Sequence, residues 1–182
     1  VTRANVTGEF FKVVGTPAMI GRVLKVEDEE PANDQVAVIS NGFWSNRFGG
    51  DPNVIGRDIY LDGRRLSVVG VMPANFMYPN ATDVWIPVRL KGSTVRGAHN
   101  FQVIARLKSG VTIVAADAEM KTIAGRLAQQ YPQTNTDWTI LVFNVREFIV
   151  RNLRSTLLVL FGAVGFVLLL ACANVANLLL GR

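Results

Sequence analysis

Few residues in this chain have the type and spacing to do chemistry, and the most telling pair lies in its least polar part. Asn174 and Asn177 stand inside Ser155–Gly181, a stretch with no Asp, Glu, Lys, Arg or His. In hydrocarbon an unpartnered amide is costly, and a hydrogen bond between membrane helices is worth roughly 0.6–2 kcal/mol. Three-residue spacing puts both amides on one helix face. Cys172, Ala173 and Ala176 lie close to that face and are small enough to let a second helix approach. Two placements stay open. The amides face a neighbouring helix, as polar groups inside spans usually do, or they sit at the headgroups, because the run ends at Gly181-Arg182.

Other chemistries lack their signatures. His99 is the single histidine; it stands in RGAHNF, where a surface strand entrance is expected. A zinc hydrolase needs more such ligands, as in His-Glu-x-x-His. No Gly-x-Ser-x-Gly elbow marks a Ser-His-Asp hydrolase, and no Gly-x-x-x-x-Gly-Lys-Ser/Thr loop cradles a nucleotide. The acidic stretch Lys25–Asp34 lacks the Asp-x-Asp-x-Asp-Gly ladder of a calcium loop, so a solvated loop is expected. The net charge is +5, but the basic residues are spread along the chain and not interleaved with aromatics, unlike a nucleic-acid surface. Arg146, Arg151 and Arg154 come nearest to a cluster, and lipid headgroups are their natural partners. The lone cysteine, Cys172, allows no disulfide within the chain. No catalytic, metal or cofactor-binding residue is therefore assigned. Trp44, Trp85 and Trp138 are expected in the core or at a subdomain interface.

The elements that position these residues are legible from periodicity. VTRANVTG reads as the end of a strand and a turn, and Glu9–Gly15 as a short helix closed by Gly15 and stopped by Pro17. Gln35–Ser40 has the β-branched run of a buried strand. Phe43, Trp44, Arg47 and Phe48 have helical spacing, ended by Gly49-Gly50 and Pro52. Arg57–Leu61 and Arg64–Val71 flank Asp62-Gly63, the turn pair that suits a two-residue hairpin. Val84–Val88 reads as a further strand. Phe101–Leu107 alternates like a strand. Thr112 can cap a helix, and in that helix Ala116, Met120, Ile123, Leu127 and Tyr131 share a face until Pro132. Asp137–Arg146 is apolar on both faces in its middle and is expected to be a strand interior to the sheet. Together these three make a strand–helix–strand unit.

Leu157–Leu180 is long enough to cross a bilayer core of about 30 Å at about 1.5 Å per residue. A helix apolar all round must be buried all round, and the remaining residues are few to wrap it, so lipid is the better surrounding. Its position at the C-terminal end is not that of a signal peptide. Both ends of the chain look cut, so it reads as an N-terminally truncated fragment. Glu147–Arg154 is a short charged joint, with Glu147, Arg151 and Arg154 at the boundary between domain and membrane. The flanking charges favour the opposite orientation to the one adopted below, with Arg151 and Arg154 ahead of the span and Arg182 behind it.

VAVIS, FWSNRFGGDPNVIGRDIYLDG, VVGVMPANFMYP, DVWIP, ARLKSGV and LLACANVANLLLGR together resemble a MacB-like periplasmic core domain followed by the start of an FtsX-like permease domain. The likeness is nearest to the acidobacterial-type orphan permeases. It covers nearly the whole chain and is most specific over Phe48–Pro87 and Ala171–Leu180. Ser109 stands where the family often has Pro, and Asp62 where Asn is common; both still turn the chain. The resemblance implies an α+β fold, with mixed β-sheets and short helices followed by one transmembrane helix. Its domains would be 1–150, with a β-rich part over 35–90 and a strand–helix–strand part over 100–146, and then 151–182. It implies an ABC transporter permease subunit of the bacterial inner membrane with its domain outside. Such a subunit transmits the cycle of a cytoplasmic ABC ATPase to the periplasm (mechanotransmission). The implied partners are membrane lipid, other helices of the same permease, that ATPase and a periplasmic partner protein, in a homodimeric or pseudo-dimeric assembly without nucleic acid. The rival reading is a membrane-anchored binding or signalling module that transports nothing. An anchored enzyme comes third, for want of a catalytic cluster.

Overall fold

A computed structural model describes residues 1–88, 97–98 and 101–180, with the backbone alone for 149–156 and 177–179. His99, Gly181 and Arg182 lie outside the described residues. The chain divides into two compact units, Val1–Arg106 and Leu107–Arg182.

The first unit is a six-stranded mixed sheet: β1 (Arg3–Val6), β2 (Ile20–Gly21), β3 (Val36–Ile39), β4 (Asp58–Leu61), β5 (Arg64–Val71) and β6 (Val84–Pro87). The order is β1-β6-β3-β5-β2, and β4 also pairs with β5. β1 runs parallel to β6 and β3 parallel to β5, whereas β3–β6, β2–β5 and β4–β5 are antiparallel. The hairpin forms as its turn residues require. Asp62 and Gly63 both take positive φ, 50° and 76°, which matches the twist of the paired strands. β2 carries no periodic signal because it is two residues long; it docks on the C-terminal half of β5.

Alternation on the central strands splits the core in two. Ala37, Ile39, Val84 and Ile86 join one cluster, against which Phe43, Trp44 and Phe48 of helix α2 (Asn41–Phe48) pack. Val38 and Trp85 join the other, with Phe10 and Phe11 of helix α1 (Phe10–Val14) and Phe76. All of β6 is buried, as a strand covered on both faces must be. Both helices end as their glycines dictate, with Gly15 and Gly49 in the left-handed region. Ser40 caps α2 by accepting from the Phe43 amide at 3.0 Å. Trp85 is fully buried and its indole N–H donates to the Tyr78 carbonyl at 3.1 Å.

Two expectations fail here, the first in part. The acidic loop is solvated only in part, with Lys25–Glu27 and Pro31–Asn33 exposed. Asp28 and Asp34 are buried because cations reach them: Arg22 grips Asp28 with two bonds of 2.6 and 2.9 Å, and Arg64 meets Asp34 at 3.1 Å. The Lys25 amide adds 2.8 Å to Asp28, and Glu29 accepts from the Gly8 amide at 2.8 Å. Phe101–Leu107, for its part, forms no strand. Side chains fasten it instead: Ile104 packs on the second cluster, and the Arg106 guanidinium donates to the Val13 carbonyl at the end of α1, 2.7 Å.

The second unit holds helices α3 (Ile113–Gln130), α4 (Pro132–Asn135) and α5 (Val145–Leu180). Thr112 caps α3 by accepting from the Ala115 amide at 3.2 Å. Ala116, Met120, Ile123, Leu127 and Tyr131 all lie on its half-buried side, as their spacing predicts. Pro132 opens α4 where α3 stops. The interior strand expected over Asp137–Arg146 is absent. Val145 and Arg146 already belong to α5, and residues 138–144 are irregular. A central strand needs a ladder on both edges, and among the described residues no strand pairs with this segment. Trp138, expected in a core or interface, is 55% exposed.

Candidate functional site

The residues singled out by chemistry and spacing gather along α5. This helix has 36 residues, about 54 Å at the α-helical rise. Within it Leu157–Ala176 is apolar enough to cross a membrane, and none of it is buried within the chain. Those 20 residues span about 30 Å, the thickness of a bilayer core. The helix starts well before the span: residues 145–156 form about 18 Å of it. The charged joint Glu147–Arg154 is thus a continuous helical rod and not a loop. Arg151, Arg154 and Asn177 are in the helix, but their side chains lie outside the described set. Cys172, Ala173, Asn174 and Ala176 are exposed on the span.

The start of the rod is built from local polar bonds. The Asn144 side chain accepts from the Arg146 amide at 3.0 Å, and its carbonyl from the Phe148 amide at 2.9 Å. Asn144 is thereby the N-cap, a role for which Asn is among the best residues. Phe143 stacks on Phe148 with ring centroids 6.0 Å apart. Two residues before the cap, the Val142 amide donates to Asp117 of α3 at 3.3 Å. The other oxygen of Asp117 pairs with Lys121 at 2.7 Å, one turn along the helix. Hydrogen bonding from Lys121, then from the Val142 amide, holds the Asp117 carboxyl below the ordinary carboxylate range. Sequence reasoning missed Asp117. Its i,i+4 relation to Lys121 was the available signal; the bond to Val142 had none.

In the sheet unit Asp28 is a buried carboxylate held by several groups. Burial pushes its carboxyl up, but the hydrogen bond from Arg22, the Lys25 amide and both positive charges outweigh it and leave it below its usual value. An open groove of about 450 Å³ runs beside α1 and the acidic loop. Among the described residues no three His, Cys, Asp or Glu side chains stand together as a metal would require.

The profile of the MacB-like periplasmic core domain matches residues 1–123. The chain belongs to that family. The MacB-like domain also finds its fold among solved structures. It is similar to the periplasmic region of MacB from Actinobacillus actinomycetemcomitans, with 17% identity and a TM-score of 0.53 over 84% of this chain and 64% of that one. It is also similar to the extracellular domain of the ABC-type transporter YknZ from Gram-positive bacteria, with 16% identity, a TM-score of 0.39, and 47% and 42% of the two chains covered. The MacB-like chain thus spans less than two thirds of either. At these identities the likeness is one of fold. No curated relative matches the chain.

Proposed function

We propose that this MacB-like domain is the extracytoplasmic part of an ABC-type permease, anchored by α5 in the bacterial cell membrane. It would couple the cycle of a cytoplasmic ATPase to movement outside the membrane. The observation that carries this reading is the unbroken helix Val145–Leu180. A rod fixed in lipid at one end and capped on a folded unit at the other passes displacement without slack; a flexible tether would not. Family membership and the fold shared with the MacB periplasmic region supply the partner class. The functional boundary is taken near residue 150, with 1–150 outside and 151–182 entering the membrane. Glu147, Arg151 and Arg154 would lie at the headgroups, and Asn174, Asn177, Cys172, Ala173 and Ala176 against other helices of the permease. No residue performs covalent chemistry in this account.

A flexible Gly/Ser insert within Glu147–Arg154 of the assembled transporter is the test. ATP turnover should persist while the periplasmic movement it drives is lost; normal function with the insert refutes the reading. The second reading, an anchored binding module that transports nothing, draws on the exposed Trp138, Leu141 and Phe143. Purification of the membrane protein separates the two: co-purification of an ATPase subunit supports coupling, and recovery with an extracytoplasmic protein alone supports the module.

A further inference from the structure

We propose that Asp117 is a positioning residue, pinning the segment that leads into the membrane helix against α3. The proposal rests on the coupling reading above and names the contact through which α5 would act on its folded unit.

The geometry divides the two carboxylate oxygens between two tasks. Oδ1 accepts from the Val142 amide at 3.3 Å. Oδ2 is held at 2.7 Å by Lys121, which sets the direction of the carboxylate. The side chain of Asp117 is 26% exposed, and its negative charge makes it a better acceptor than a neutral oxygen. An i,i+4 pair on its own stabilises a helix by a few tenths of a kcal/mol. The bond to Val142 does nothing for α3; it ties a second piece of chain to it. That piece has almost no slack. Between the pinned amide and the Asn144 cap lies Phe143 alone, and its ring is stacked on Phe148, one turn into α5. A rod gripped beside its capped end shifts the gripping helix when it shifts. Leu141 and Phe143 beside Val142 are more than half exposed, and an apolar contact, unlike the bond to Asp117, has no direction.

The test uses the full chain in lipid nanodiscs, in a Cys172→Ser background. Spin labels at Arg126→Cys on α3 and Leu157→Cys on α5 report their distance distribution, and amide exchange reports protection at Val142. The parent should give a narrow distribution and a protected Val142 amide. Asp117→Ala should lose both while far-UV circular dichroism keeps its helix content, and Asp117→Asn, which retains an acceptor, should restore them. A distribution as narrow and a Val142 amide as protected in Asp117→Ala as in the parent overturns the proposal. If Asp117→Ala loses helix, Lys121→Ala decides, since it leaves the acceptor and removes the group that aims it. Partial loss of Val142 protection then supports the proposal, and unchanged protection overturns it. A Gly/Ser insert after Phe148 separates this idea from the reading beneath it. A distribution that stays narrow with the insert removes the stiff joint and with it the coupling role. Broadening with the insert but not with Asp117→Ala removes Asp117 alone.

Discussion

Gly70 and Asp28 show how much single residues decide in the sheet unit. A Cβ at Gly70 would lie 2.0 Å from the Arg22 carbonyl oxygen, and that neighbour is backbone held by the Arg22 amide bond to Val69 at 2.8 Å. Gly70→Ala should therefore cost about 3 kcal/mol, the upper part of the usual range for overpacking, read as a lowered denaturation midpoint in detergent. Asp28→Asn should cost about 1–2 kcal/mol, less than a fully buried pair because the Arg22 side chain is 38% exposed. The pH dependence follows from the direction of the shift. The folded carboxyl is depressed relative to the unfolded one, so its contribution is whole above the unfolded value of about 3.9. It fades as pH falls through the lower folded value. Melting of the parent should steepen its decline below about pH 4, and Asp28→Asn should flatten it; equal pH profiles would show that Asp28 is not the group responsible.

At the scale of elements, α5 depends on its two ends. Asn144→Ala removes the cap and should cost about 1 kcal/mol of local stability, seen as faster amide exchange over residues 145–148 with the span unchanged. Deeper in the helix, replacing Asn174 and Asn177 together by Leu should weaken assembly of the full permease. An unchanged yield of partner helices in a membrane pull-down would place those amides at the headgroups instead. α3 shows the opposite balance between local and distant causes. Its start, its end and its half-buried side follow from Thr112, Pro132 and a five-residue apolar face, all local signals. The expected strands on either side of it depended on partners far along the chain. An alternating segment becomes a strand only where a second backbone offers its amides and carbonyls. Phe101–Leu107 carries the alternation and residues 138–144 an apolar run, and neither meets such a backbone among the described residues.

Across the whole molecule, a sheet unit with two apolar clusters is followed by a helix whose apolar length is wholly exposed within the chain. The full chain should require detergent or lipid to stay monodisperse. Dispersal in plain buffer with the last thirty or so residues packed inside a fold would end the membrane reading. Much of this architecture was written in short-range patterns. The hairpin at Asp62-Gly63, the buried strands Val36–Ile39 and Val84–Pro87, the glycine stops of α1 and α2 and the apolar run of α5 each follow from neighbouring residues alone, through backbone sterics, period and length. Tertiary structure decided the rest. It buried Asp28 and Asp34 by bringing arginines to them. It left Trp138 exposed, and it made most of the expected last strand an irregular lead, tied to Asp117, into a long capped rod. Those outcomes rest on groups distant in sequence meeting in space, as Asp117 and Val142 do, and no local pattern records which carboxylate will find which amide.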